Sequence, residues 1–213
     1  MSKASDNEAF VKEVQRHLGV TDDGWGGAIT REAWRKSVGV AGPAPAPPPD
    51  PLPPADGIDA RSAKNIATLA PAVRPHFEAI AINGGRIARD LGADAYTMIS
   101  GTRTYAEQNA LYAKGRTAPG PVVTNARGGY SNHNFGIAGD FGVFKGRTYL
   151  DGSNAALASK IHKAVAAWVK ANIPQIEWGG DWTSFRDEPH YQYRTGLSLA
   201  EMRARVAAGK PVV

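Results

Sequence analysis

Apolar residues recur at helical spacing in several stretches of this chain, at alternate positions in a few short ones, and almost nowhere in one proline-dense segment. Near the start, Phe10, Val11, Val14 and Leu18 fall on one helical face over residues 7–18, and Gly19 follows where a helix end favours a left-handed residue. Asp22-Asp23-Gly24 and Gly26-Gly27 signal turns, and a second helix is predicted from Thr30 to Ser37 with Ala33 and Trp34 inward. Further along, Asp59 is placed to cap a short helix. A longer helix is predicted over Val73–Asp90, with Val73, Phe77, Ile80, Ile87 and Ala88 toward the core, Pro75 in its first turn and a kink at Gly84-Gly85. Ala95–Ile99 reads as a strand. Thr104 is placed to cap a helix whose inner face includes Leu111 and Tyr112. Ser153–Ala171 reads as an amphipathic helix with Leu157, Ile161, Val165 and Trp168 inward. Ile176–Trp178 and His190–Tyr193 read as short strands around a Gly179-Gly180 turn. Helices and strands mix without regular alternation, which predicts an α+β fold with a small, mainly antiparallel sheet flanked by helices.

The proline-dense segment, residues 42–57 (GPAPAPPPDPLPPADG), excludes helix and sheet and reads as a semi-rigid polyproline spacer. It divides the chain into a small helical module at 1–41 and a larger domain at 58–213.

Composition adds bounds. The chain of 213 residues has no cysteine, so disulfides and thiolate ligands are excluded and any metal is held by nitrogen and oxygen. The formal net charge of +5 suits an anionic partner such as an anionic cell envelope, or simple solubility. The basic residues are scattered singly, which speaks against nucleic-acid recognition. Met1-Ser-Lys-Ala-Ser-Asp-Asn-Glu lacks the apolar run of a secretory signal, and no apolar stretch is long enough to span a bilayer. The expectation is a chain made in the cytoplasm, with no stable membrane insertion, that needs outside help to leave it.

The candidate chemistry lies in Ser131-Asn-His133-Asn-Phe-Gly136-Ile-Ala138-Gly-Asp140 and in Asp187-Glu-Pro-His190. Two histidines and an aspartate are a ligand set that holds a hydrolytic zinc and leaves a position open for water. His133 and Asp140 are seven positions apart, an odd number that would set them on opposite faces of one uninterrupted strand. The chain must bend between them, and Gly136 permits the bend. His133 is thus expected to end a loop, Asp140 to lie on the strand that follows, and His190 to come from a neighbouring strand. His17, His76 and His162 read as surface or helix-face residues. A general base would be Asp187 or Glu188, and spacing alone leaves that choice open.

These motifs carry a resemblance. Ser-x-His-x-x-Gly-x-Ala-x-Asp is met by Ser131, His133, Gly136, Ala138 and Asp140, and Asp-x-Pro-His-(aromatic)-Gln by Asp187, Pro189, His190, Tyr191 and Gln192. With Trp178-Gly-Gly-Asp-Trp182 and Ser100-Gly-Thr-Arg103-Thr-x-x-Glu107-Gln108-x-x-Leu111-Tyr112, residues 58–193 resemble the zinc-dependent peptidoglycan peptidases that include L-alanyl-D-glutamate endolysins and the VanY-like D-alanyl-D-alanine carboxypeptidases and dipeptidases. Thr102 departs from that pattern, where an aromatic residue is more usual. Val11, Val14, Gln15, Leu18, the Asp23-Gly24 turn, Gly27, Thr30 and Ala33 resemble the helical peptidoglycan-binding repeat of cell-wall hydrolases.

The resemblance implies a zinc D-Ala-D-Ala peptidase (hedgehog-like) fold. It implies Zn2+ held by His133, Asp140 and His190, with Asp187 as the base and Arg103 stabilising the negative charge on the scissile carbonyl. Ser131, Gln108, Asn125 and Arg127 would line the substrate cleft. The implied function is phage-endolysin-type hydrolysis of the L-Ala–D-Glu bond of peptidoglycan stem peptides, by a monomer that gains access to the wall through a holin. Such a protein would stay in the host cytoplasm until lysis and then act in the periplasm or cell wall. The alternatives are a D,D-carboxypeptidase or dipeptidase that removes D-Ala, and a non-catalytic wall-binding protein.

Overall fold

A computed structural model describes residues 57–213; the expected helical module, including His17, and all of the linker but Gly57 lie outside the described residues. In chain order the elements are α1 (Ala60–Ile66), α2 (Arg74–Asp90), β1 (Ala95–Ser100), α3 (Tyr105–Ala113), β2 (Ala138–Lys145), β3 (Thr148–Tyr149), α4 (Ala155–Asn172), β4 (Ile176–Trp178), β5 (His190–Tyr193) and α5 (Leu199–Ala207). The class is α+β, as the pattern predicts. The sheet runs β1-β2-β5-β4, every pair antiparallel, with β3 added to β2. No helix among the described residues is long and apolar enough to cross a membrane.

Local chemistry explains the element starts. Asp59 accepts from the Ser62 amide at the head of α1. Thr104 and Glu107 form a reciprocal capping box on α3, and Ser198 and Glu201 do the same on α5. Where a kink is expected, α2 remains helical through Gly84 and Gly85. Packing explains the first glycine: a Cβ on Gly84 would stand 2.4 Å from the Tyr96 ring.

The two faces of the sheet differ. Tyr96, Met98, Phe141, Val143 and Tyr191 are buried on one face, against Phe77 and Ile80 of α2 and Ile161, Val165 and Val169 of α4. Each such large apolar side chain contributes about 1.5–3 kcal/mol by leaving water. Strand alternation then sends Asp140, His190 and Gln192 to the opposite face. His162 is a correction to the sequence reading. It is buried at 3% exposure, with its Nδ1 2.9 Å from the Tyr96 hydroxyl, which lies 3.2 Å from that of Tyr191. Burial pushes its pKa down from 6.5 to about 4, so it sits neutral in the core. His76 is half-buried and stacks on Tyr193.

Candidate active site

The expected bend is present. His133 lies in a 3-10 turn, Asn132–Phe135; Gly136 follows at φ 69° in the left-handed region, and β2 begins at Ala138. Asp140 of β2 lies directly opposite His190 of β5. On the other side of Asp140, the β1–β2 register shifts between Met98 and Ser100, so that Ser100 stands opposite it.

His133, Asp140 and His190 converge, each offering a ligand atom within 4.8 Å of the others. Asp140 Oδ1 is 3.2 Å from His133 Nε2 and 3.0 Å from His190 Nδ1, and the two nitrogens are 3.3 Å apart. The outer nitrogens define what the inner ones can do. His133 Nδ1 lies 2.8 Å from the carbonyl oxygen of Gly101, and His190 Nε2 lies 3.1 Å from Gln192 Oε1. Both partners accept, so the outer nitrogens carry protons and the inner ones present lone pairs. Two imidazole lone pairs and a carboxylate oxygen at this separation repel unless positive charge lies between them, as extra protons or as a cation. The donor set therefore fits a divalent metal of the kind that imidazole and carboxylate bind.

Where extra protons supply that charge, the imidazoles are cationic and the titration directions follow from it. Burial opposes ionisation of Asp140, but the flanking imidazoles outweigh it and hold its carboxyl well below the usual carboxylate range. Burial likewise works against charge on His190, yet its hydrogen bond to Asp140 raises its pKa. The Trp182 ring packs against His190 at 5.0 Å between centroids.

Both members of the acidic pair are now placed. Asp187 lines a cleft of about 480 Å³ together with Arg103, His133, Asp140 and His190. Burial, then the nearby Asp140 charge, raises its pKa above the ordinary aspartate value. Glu188 turns away, its Oε1 accepting from the Ser159 hydroxyl at 2.9 Å on α4 and lying 3.7 Å from Lys163 Nζ. Arg103, just before the α3 cap, donates from Nη2 to Asp140 Oδ2 at 2.6 Å and to Ser100 Oγ at 2.9 Å, and from Nη1 to Gln108 Oε1 at 3.1 Å.

Four further expectations concern the cleft walls. Ser131 and Asn125 line it, and Arg116 holds the Asn125 side-chain oxygen at 3.0 Å. Gln108 does not line it: the residue is fully buried behind Arg103 and donates to Ala126 O, because a glutamine on the inner face of α3 satisfies buried polar groups there. Arg127 is not among the lining residues either; its guanidinium lies 5.5 Å from the Tyr112 ring centroid. Asn132, Gln192, Tyr130, Phe185 and Leu199 also line the cleft. Of these, the sequence flagged only Gln192, as part of a motif.

A triad of candidate ligands faces an ionisable acid across one cleft, the donor set and acid that metal-assisted hydrolysis would need. Residues 124–193, which hold all three triad members and Asp187, match the family described as D-alanyl-D-alanine carboxypeptidase. The chain is 38% identical over 111 residues to the peptidoglycan L-alanyl-D-glutamate endopeptidase CwlK of Bacillus subtilis. That match covers 49% of this chain and spans 64% of the relative's length, under two thirds of it. Among solved structures, the Serratia marcescens L-Ala D-Glu endopeptidase ChiX aligns with a TM-score of 0.39 and 19% identity, over 63% of this chain and 86% of that one. VanYB in complex with D-alanine-D-alanine aligns with a TM-score of 0.37 and 17% identity, over 80% of this chain and 90% of that one.

Proposed function

We propose that this protein is a zinc-dependent peptidoglycan endopeptidase that hydrolyses the L-Ala–D-Glu bond of the stem peptide. The observation that carries the reading is the convergence of His133, Asp140 and His190 in one cleft, with Asp187 facing in and Glu188 turned out. The similarity to an L-alanyl-D-glutamate endopeptidase supports the choice of bond.

In this reading the three converging atoms hold the ion. Zinc bound there would lower the pKa of water and polarise the scissile carbonyl. The chain's own residues do the rest. Asp187, whose pKa is raised by its surroundings, takes the proton from the attacking water and returns it to the departing amine. Arg103 supplies fixed positive charge beside the carbonyl as its oxygen becomes negative. Ser100, Gln108 and Asp140 hold that guanidinium in place. The walls carry Val123, Tyr130 and Phe185, which suit the apolar parts of a peptide. We further infer an endolysin role, supported by the spacer at 42–57 and by the resemblance of the preceding residues to a wall-binding repeat.

Release of D-Ala by a D,D-carboxypeptidase is the second reading, favoured by the description of the matching family. The test is incubation of purified protein with peptidoglycan, with and without chelator, and mass spectrometry of the products. New N-terminal D-Glu that vanishes with chelator is expected. Free D-Ala would replace the reading by the second one, and no product would overturn both.

A further inference from the structure

The two candidate ligand histidines are held by different kinds of partner. His133 leans on the Gly101 carbonyl, a backbone group that no side-chain substitution removes. His190 leans on a side chain, the Gln192 amide, at 3.1 Å. Gln192 is two positions along β5 from His190, on the same face of the strand. Its Oε1 is itself held: Asn132 Nδ2 donates to it from the turn that carries His133. An amide could otherwise flip and present its NH2 group to His190. Asn132, donating to the same oxygen, opposes that flip.

We propose that Gln192, locked by Asn132, is a positioning residue for the metal centre, keeping the His190 proton on Nε2 and the Nδ1 lone pair turned toward Asp140. A partner on the outer nitrogen of a ligand histidine fixes ring orientation and raises ligand basicity, and its loss typically lowers metal affinity about 10–100-fold. Asn132 acts through Gln192 and touches neither ligand nitrogen in this network. The pair also joins the two ligand-bearing segments, the turn at Asn132–Phe135 and strand β5, so that both histidines are set by one connected arrangement. This inference rests on the metallopeptidase reading for its relevance, but its test does not need turnover.

The experiment measures zinc affinity by competition with a chromophoric chelator on the full chain, alongside thermal melts of the metal-free proteins. Gln192→Leu is expected to weaken zinc binding about 10–100-fold. Gln192→Glu, which keeps an acceptor oxygen, should return it to within about threefold of wild type or tighter. Asn132→Leu should weaken it less than Gln192→Leu does. The double variant should be no weaker than Gln192→Leu alone, because the two residues act in series. Wild-type zinc affinity in Gln192→Leu overturns the proposal, as does failure of Gln192→Glu to restore it in a protein that melts normally. Additive losses in the double variant would also overturn it. A wild-type protein that binds no zinc overturns the metal reading and this inference together. One that binds zinc and cleaves no peptide overturns the activity alone and leaves the affinity ranking to decide.

Discussion

Asp140 and His190 are Cα partners across the β2–β5 pair, and that one register position sets Oδ1 and Nδ1 3.0 Å apart. Side chains alternate along a strand, so a slip of one residue would turn His190 into the core and bring Tyr191 to the cleft. The edge-to-face packing of Phe141 and Tyr191 on the buried face defends the register from behind.

Convergent lone pairs should make the protein respond to metal before any substrate is added. With zinc at about a thousandfold over its dissociation constant, folding should gain about 4 kcal/mol. That is roughly 10 °C in Tm for a domain of this size. Thermal melts with and without zinc check this, and His190→Ala should abolish the gain.

The neighbouring acids should separate cleanly. Asp187→Ala is expected to keep its zinc and lose about 100-fold or more in turnover. Glu188→Ala, which loses only its contacts with Ser159 and Lys163, should stay within a few-fold of wild type. Metal analysis beside turnover on peptidoglycan fragments decides it, and an inactive Glu188→Ala that still folds would reverse the assignment.

Arg103→Lys should cost about 100-fold in kcat, the usual loss for one donor to developing charge. A lysine keeps the charge but cannot span Asp140, Ser100 and Gln108 together. Steady-state kinetics with parallel zinc titration tests this, since a loss traced wholly to metal release would assign Arg103 to the ion and not to the carbonyl.

Gly136→Ala should destabilise the fold by about 1–2 kcal/mol, because a non-glycine residue is strained in the left-handed region. The added Cβ would also press on the Ala70 amide at 3.0 Å. Chemical denaturation measures the first effect. A fall in zinc affinity beyond that of a control glycine variant at Gly146, also left-handed but facing open space, measures the second.

His162 should give stability an acid limb. Its folded pKa is about 4 against 6.5 in the ordinary state, so the unfolded chain takes up the proton first as pH falls. Its contribution is constant above pH 6.5 and declines between pH 6.5 and 4, by about 3 kcal/mol in all. Denaturation midpoints at pH 7 and 4.5 should therefore differ less in His162→Phe than in wild type.

Much of this was legible in the sequence where the information is local. The odd spacing of His133 and Asp140 demanded a bend, and Gly136 made it possible. Thr104, with Glu107 three positions on, announced the start of α3. The last described helix carries the same kind of signal in Ser198 and Glu201. What stayed hidden depends on residues remote in the chain. Glu188 is drawn outward by Ser159, and Gln108 is buried because Arg103 needs an acceptor behind it. His162 looks like a surface residue until Tyr96 and Tyr191 close over it.

The cap of α3 has a wider consequence. Arg103 immediately precedes Thr104; its amide donates to the His133 carbonyl, and its own carbonyl accepts from the Asn134 side chain. Fraying of that helix end would therefore tilt the guanidinium and the metal-ligand turn in the same motion. Selection for a tighter cleft and selection for a sturdier helix terminus would act on the same exposed threonine.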